Sequence, residues 1–205
     1  MQEMILDAVN NGVRAIETLR EPLAVEFIEA AAGMIAECYQ SGNKVIIAGN
    51  GGSLCDAMHF SEELAGFFRA QRKALPAMAI CEQGFLTCVA NDVGYEYVFS
   101  RAIEAHGNPG DIFIALTTSG NSKNLQLGCE MAAKKGLKTI AFLGKTGGAM
   151  LGCCDLQWLV SGFSTSDRIQ EAHMCAIHIL IEMIEALLFD SKELIKKIQK
   201  AASKK

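Results

Sequence analysis

The chain has little that would break a compact fold. Only three prolines and one tryptophan occur among its 205 residues, and half of the residues are apolar, so a long disordered segment is not expected. Long hydrophobic runs are missing. The stretch from Ile179 to Ile181 is broken at once by Glu182, far short of the ~20 apolar residues that a membrane span needs. An excess of charge is also missing: the net charge of -4 gives no general reason to expect nucleic-acid binding. The amino end, MQEMILDAVNNGV, carries acids early and no basic leader, so it does not read as a signal peptide. Cysteine is plentiful, at eight, but no CxxC spacing is present. Cys38, Cys81, Cys88, Cys129 and Cys175 sit singly in apolar stretches, and Cys153 and Cys154 are adjacent. That pattern reads as reduced, buried thiols rather than a disulfide framework, and points to a cytoplasmic protein.

What is present is an alternation of strands and helices. Residues 2–41 read as two amphipathic helices split near Arg20-Glu21-Pro22, where proline suits a first helical turn. Five short β-branched runs follow: KVIIAGN (44–50), AMAIC (77–81), DIFIALTT (111–118), KTIAFLG (138–144) and LQWLV (156–160). Helical stretches over 53–68, 96–106 and 122–135, with a shorter piece near 146–151, separate them, and one long helix covers 166–189. Strands alternating with helices make βαβ units, so the class is α/β: a parallel five-stranded sheet between two helical layers, with an N-terminal helical pair. Without internal repeat or linker, 1–205 reads as a single domain, with helices over 1–41, an α/β core over 42–189 and a basic tail over 190–205. The tail holds Lys192, Lys196, Lys197, Lys200, Lys204 and Lys205, with Leu194, Ile195 and Ile198 on one helical face. It reads as a solvated terminal helix, although such a face also suits a membrane or a partner.

Two loops suit a phosphate. Gly49-Asn50-Gly51-Gly52-Ser53 follows the first strand and opens a helix, where free N–H groups and the helix dipole favour an anion. It is no dinucleotide fingerprint, because Leu54 stands at the third glycine, and no Walker loop, because no Gly-Lys-Ser/Thr follows. A tight turn with Ser53 as helix cap is the plainer alternative. Thr117-Thr118-Ser119-Gly120-Asn121-Ser122 repeats the arrangement after the third strand with four hydroxyls around one glycine. One capping serine explains one hydroxyl, not four. Both loops lie at carboxyl ends of strands, where ligands of parallel sheets bind.

Two helices carry titratable side chains. His59 and Glu63 are four residues apart and share a face. Gln170 and His178 also share a face, but eight residues put them about 12 Å apart, long for two ligands of one ion. A surface His–Glu pair, a capping box at Asp167-x-x-Gln170 and a buried structural His178 are the simpler readings. His106 and His173 carry no assignment.

The segments GNGGSLCDAMHFSEEL, LTCVANDVGYEYVFSR, GDIFIALTTSGNSKN and DRIQEAHMCAIHILIEMIE, in order and with family-like spacing over about 1–189, closely resemble the phosphoheptose isomerases, enzymes of the sugar-isomerase (SIS) domain class. The resemblance implies conversion of D-sedoheptulose 7-phosphate to D-glycero-D-manno-heptose 7-phosphate in bacterial inner-core heptose synthesis. It also implies a homotetramer with sites built across subunits and one zinc ion per subunit. By matching positions, Ser53, Thr118, Ser119 and Ser122, with Thr117 alongside, hold the phosphate. Asn50, Gly51, Gly52, Asn91, Asp92 and Gln170 contact the sugar. His59, Glu63, Gln170 and His178 match the zinc ligands, and Glu63 and His178 also match the acid–base pair.

The implied reaction moves a proton from C1 to C2 through an enediol, with Glu63 as the base and His178 on the other side. Zinc bound by four protein ligands would be a closed site, whereas catalytic zinc keeps one position open. A competing reading comes from relatives that bind the bacterial replication initiator, which carry asparagine where this chain has His178. A sugar-phosphate-sensing regulator would need a DNA-binding helix pair or second domain, and neither shows in the sequence.

Overall fold

The computed structural model describes residues 1–69 and 71–189. The lysine-rich segment 190–205 lies outside the described residues. Two helices come first, α1 (Gln2–Glu17) and α2 (Pro22–Gln40), joined by a single 3₁₀ turn at Thr18–Arg20. Pro22 occupies the first turn of α2, where its missing N–H costs nothing. The remaining elements are β1 (Val45–Gly49), α3 (Gly52–Ala65), β2 (Ala77–Ala79), α4 (Gln83–Asp92), α5 (Val98–His106), β3 (Ile112–Leu116), α6 (Lys123–Lys134), β4 (Lys138–Gly144), β5 (Leu156–Val160) and α7 (Ser166–Phe189).

All five strands are parallel, in the order β2-β1-β3-β4-β5. The register sets Ile47 beside Ile114 and Ile114 beside Ile140, a row that faces α2, α3 and α7 together with Phe142 and Trp158. The alternate row, including Ile46, Phe113, Ala115 and Ala141, faces the layer of α5 and α6. Each face therefore buries its own apolar set, and β1 and β3 are buried at every position. After β1 the chain moves outward to β2, then returns to lay β3 on the other side of β1. The loops after β1 and β3 thus flank the crevice where strand order reverses, the usual ligand position in open parallel sheets.

Several expected boundaries shift. The helix expected over 53–68 ends at Ala65, the second strand stops at Ala79, and the piece near 146–151 is only a 3₁₀ turn, Gly148–Met150. Helix α4 was not anticipated at all. It contains Gly84, Thr87 and Val89, which are poor helix formers, but the Glu82 carboxylate caps it by accepting from the N–H of Gly84 at 2.9 Å and from that of Phe85.

Helix α7 is long and apolar enough to cross a membrane by length and composition, yet Ile169, Ala172, Ala176, Ile177, Leu180, Ile181 and Ile184 are buried in the core of this fold. His173 is buried with them, fully enclosed. Its Nε2 lies 3.0 Å from the Leu143 carbonyl, which can only accept, so the proton sits on Nε2. Its ring packs 5.7 Å from Phe142 and 5.9 Å from Trp158, and Nδ1 has no partner. Burial depresses its pKa from 6.5 to about 4, against the pull of the Leu143 carbonyl. The folded state therefore keeps His173 neutral, while the unfolded chain takes up a proton below about pH 6.5. His173 thus adds stability above that pH, and the contribution, about 3 kcal/mol, is lost as pH falls toward 4. The urea midpoint should fall between pH 6.5 and 4, and His173→Met should flatten that fall; an unchanged slope would show that His173 is not the titrating group.

Candidate functional site

The first loop is built by close approach. A Cβ on Gly52 would lie 2.7 Å from Nε2 of Gln170 and would push that amide aside. The bare glycine lets the Gln170 amide lie against the first turn of α3. Ser53 is not the helix cap, because α3 already begins at Gly52. Its hydroxyl instead accepts from Gln170 Nε2 at 3.3 Å. Gln170 therefore does not close a capping box on α7; its amide reaches across to α3.

In the second loop the hydroxyls are arranged as donors. Thr117 Oγ1 accepts from the Gly120 N–H at 3.1 Å, and Ser119 Oγ accepts from the Asn121 N–H at 3.2 Å. Each hydroxyl keeps its own hydrogen for a ligand. Ser122 stands at the N-cap of α6 with no side-chain capping bond among the described residues, so capping does not occupy its hydroxyl. Thr118 Oγ1 lies 3.0 Å from Oγ of Ser166, the first residue of α7. Gly120 takes a left-handed φ of 65°, and a Cβ there would fall on the Gly147 carbonyl oxygen. The turn at 147–150 holds this loop from behind, with the Ala149 N–H donating to Asn121 Oδ1 at 3.0 Å and the Met150 N–H to the Gly120 carbonyl at 3.0 Å.

Together the loops enclose a cavity of about 290 Å³ lined by Asn50, Gly52, Ser53, Thr117, Thr118, Ser119, Ser122, Ser166 and Gln170. Among the described residues, no lysine or arginine lines it. Gly52 and Ser53 of α3, the α6 N-cap Ser122 and Ser166 of α7 all line it, so three helix N-termini with their positive dipole ends adjoin one space. The arrangement suits an anion with several acceptor oxygens.

Further along the same two helices the titratable groups converge. His59 Nε2 lies 2.9 Å from His178 Nε2 and 3.5 Å from Glu63 Oε1, and one ligand atom from each of the three falls within 4.8 Å of the others. On the far side of the ring, His59 Nδ1 is 3.2 Å from Glu62 Oε1. A carboxylate beside Nδ1 is the outer-shell arrangement that metal-binding histidines use. Two imidazole nitrogens and a carboxylate oxygen are also the donor types zinc takes. His178 is half-buried, with Phe68 stacked on its ring at 5.7 Å. Burial first, then His59 and Arg69, hold its pKa below the ordinary range, against the attraction of Glu63. A neutral His178 can accept a proton or give a lone pair to a metal.

Arg72 fixes this end of the site. Its side chain is 4% exposed; Nη2 donates to the Glu63 carbonyl at 2.8 Å, Nη1 to the Leu64 carbonyl at 2.9 Å, and Nε pairs with Glu185 Oε1 at 2.6 Å. One guanidinium thereby ends α3, which explains its stop at Ala65, and ties it to α7.

Of the site residues expected from sequence, Asn50, Gly52, Ser53, Thr117, Thr118, Ser119, Ser122 and Gln170 meet in the cavity, and His59, Glu63 and His178 meet in the cluster. Gly51 adjoins the cavity as the N-cap of α3, with φ 57°. Gln170 hydrogen-bonds Ser53 at the cavity end. Asn91 and Asp92 are exposed at the end of α4, bonded to each other at 2.6 Å, and line neither feature. Other residues were not foreseen: Tyr95, Asn124, Ser166, Glu62, Arg72 and Asp56. Asp56 is buried with Oδ2 unpartnered, and burial pushes its carboxyl up to about 6, with His59 opposing the rise. Its place three residues before His59 was the available signal. Arg72 left none, since its partners are backbone carbonyls and Glu185, a residue far along the chain.

The SIS domain family model matches residues 8–144. A phosphoheptose isomerase of Vibrio cholerae is 52% identical over 158 residues, 77% of this chain and 83% of that protein. One from Fusobacterium nucleatum is 50% identical over 161 residues, 78% of this chain and 82% of that protein. The solved phosphoheptose isomerase of Francisella tularensis superposes with a TM-score of 0.84 at 31% identity, over 89% of this chain and 97% of that one. On fold, motifs and kinship alike, the chain belongs to the phosphoheptose isomerases of the SIS domain family.

Proposed function

We propose that the chain isomerises D-sedoheptulose 7-phosphate to D-glycero-D-manno-heptose 7-phosphate, supplying a precursor of the lipopolysaccharide inner core. The observation that carries this reading is a spacing. The hydroxyl-lined cavity lies at the N-terminal ends of α3 and α7, and the His59–Glu63–His178 cluster lies further along both helices, about 12 Å away by the rise from Gln170 to His178. A sugar phosphate seated by its phosphate would extend its far end toward the acid–base groups. Ser53, Thr117, Thr118, Ser119 and Ser122 bind the phosphate. Asn50, Gly51, Gly52 and Gln170 contact the chain of carbons. Phosphate binding at a remote end orients the reacting carbons without touching them.

Glu63 takes the proton from C1 of the open-chain ketose, and His178, neutral in the resting site, manages the proton at C2 or between the two oxygens. Glu63→Gln keeps the shape and removes the base. Its kcat/KM should fall by more than about tenfold, over 1.4 kcal/mol of transition-state stabilisation, with an unchanged circular dichroism spectrum; retention of more than a tenth of the activity would remove Glu63 from that role.

His59, Glu63 and His178 would hold zinc, with Gln170 as the fourth ligand implied by the resemblance. With one of the four displaced by substrate, zinc bound there would supply Lewis-acid polarisation of the carbonyl. The chain assembles as a homotetramer. Met4, Ile5, Leu6, Val9, Val13 and Ile16 on α1 are exposed apolar residues, and an apolar groove of about 410 Å³ runs between α2 and α7. Such surface suits burial against other copies. Asn91 and Asp92, outside the cavity of their own chain, then serve as sugar contacts across a subunit border. The eight free thiols suit the cytoplasm. Native mass spectrometry tests metal and assembly together. It should show four 22.1 kDa chains carrying four zinc ions, and His178→Ala should lose the metal; a metal-free monomer or dimer would overturn both assignments.

A further inference from the structure

The hydrogen bonds around Asn50 determine what it can offer a ligand. The backbone N–H of Leu125 donates to Asn124 Oδ1 at 2.9 Å. A backbone N–H cannot reverse its role, so this bond fixes which end of the Asn124 amide is oxygen. The other end, Nδ2, donates to Asn50 Oδ1 at 2.9 Å, while Asn50 Nδ2 donates back to Asn124 Oδ1 at 3.0 Å. The Asn50 amide is oriented in turn. The Tyr95 hydroxyl, 2.8 Å from Asn50 Oδ1, must then donate to it. Both acceptor sites of Asn50 Oδ1 are filled, and one hydrogen of Nδ2 is spent. Asn50 is left with a single N–H, and it lines both the phosphate-type cavity and the adjoining cavity of Tyr95, Lys123 and Asn124.

We propose that Asn124 and Tyr95 are positioning residues that lock Asn50 as a donor-only contact, selecting an acceptor oxygen of the bound sugar phosphate and rejecting a donor at that point. Asn124 is buried, at 3% exposure, and belongs to α6; Tyr95 sits on the 3₁₀ turn ahead of α5. The first loop is thereby oriented by two elements of the opposite layer. This inference rests on the isomerase reading only for the identity of the ligand.

The test is a double-mutant cycle on binding, read by calorimetry with the heptitol 7-phosphate made by reducing sedoheptulose 7-phosphate. That polyol cannot isomerise, so its Kd is independent of turnover. Tyr95→Phe, at an exposed position, should raise Kd by roughly 3- to 10-fold, the usual range for one hydrogen bond. Asn50→Ala should raise it further, and the double variant should match Asn50→Ala alone, because Tyr95 acts through Asn50. Asn50→Asp, an acceptor of the same shape, should bind more weakly than Asn50→Ala. In turnover, Tyr95→Phe should raise KM by a larger factor than it lowers kcat. Additive effects in the cycle, an unchanged Kd in Tyr95→Phe, tighter binding by Asn50→Asp than by Asn50→Ala, or no binding of the polyol by the unaltered protein would each overturn the proposal. Binding with the predicted cycle but no isomerisation of the ketose would support the proposal and sink the isomerase reading instead.

Discussion

The site depends on how α3 and α7 lie against each other. They meet in three places that climb both helices in the same direction: Gln170 on Ser53, His178 on His59, and Glu185 joined through Arg72 to the carbonyls of Glu63 and Leu64. The helices therefore run side by side with both N-termini at the cavity. Gly52 permits the lower approach and the buried Arg72–Glu185 pair holds the upper one. A buried pair of this kind is costly to break, because removing one partner leaves the other charge unpaired.

From that packing comes a division of labour by distance. At the N-terminal ends, dipoles and hydroxyls make a cavity for an anion with no cationic side chain among the described residues. Two turns along, where dipole effects have faded, histidines and carboxylates face each other and can exchange protons or hold a metal. The sheet serves both parts, since the reversal of strand order between β1 and β3 leaves the crevice into which the two loops project. The converging donors include His178, which favours chemistry over a purely binding role.

The legible parts of the sequence were those governed by local rules. Strand positions followed from β-branched runs bounded by glycine, and the His59–Glu63 contact followed from helical spacing. The illegible parts depend on partners distant in the chain. Helix α4 is held by a glutamate cap rather than by propensity. His173, not His178, proved to be the enclosed structural histidine, because only the packed sheet shows which face of α7 turns inward. The capping-box alternative for Gln170 falls away once α3 lies beside it. Asn124 and Tyr95 gain meaning only through Asn50, 74 and 45 residues away.

The account stands on the claim that these two helices carry a proton between neighbouring carbons of a phosphorylated ketose. The most direct measurement is a proton-NMR time course of the purified protein with sedoheptulose 7-phosphate in D₂O, run beside His178→Ala. The account predicts aldose heptose 7-phosphate carrying deuterium at C2, with turnover lost in the variant. A flat trace from folded protein, with and without added zinc, would contradict it, as would an aldose formed without solvent deuterium.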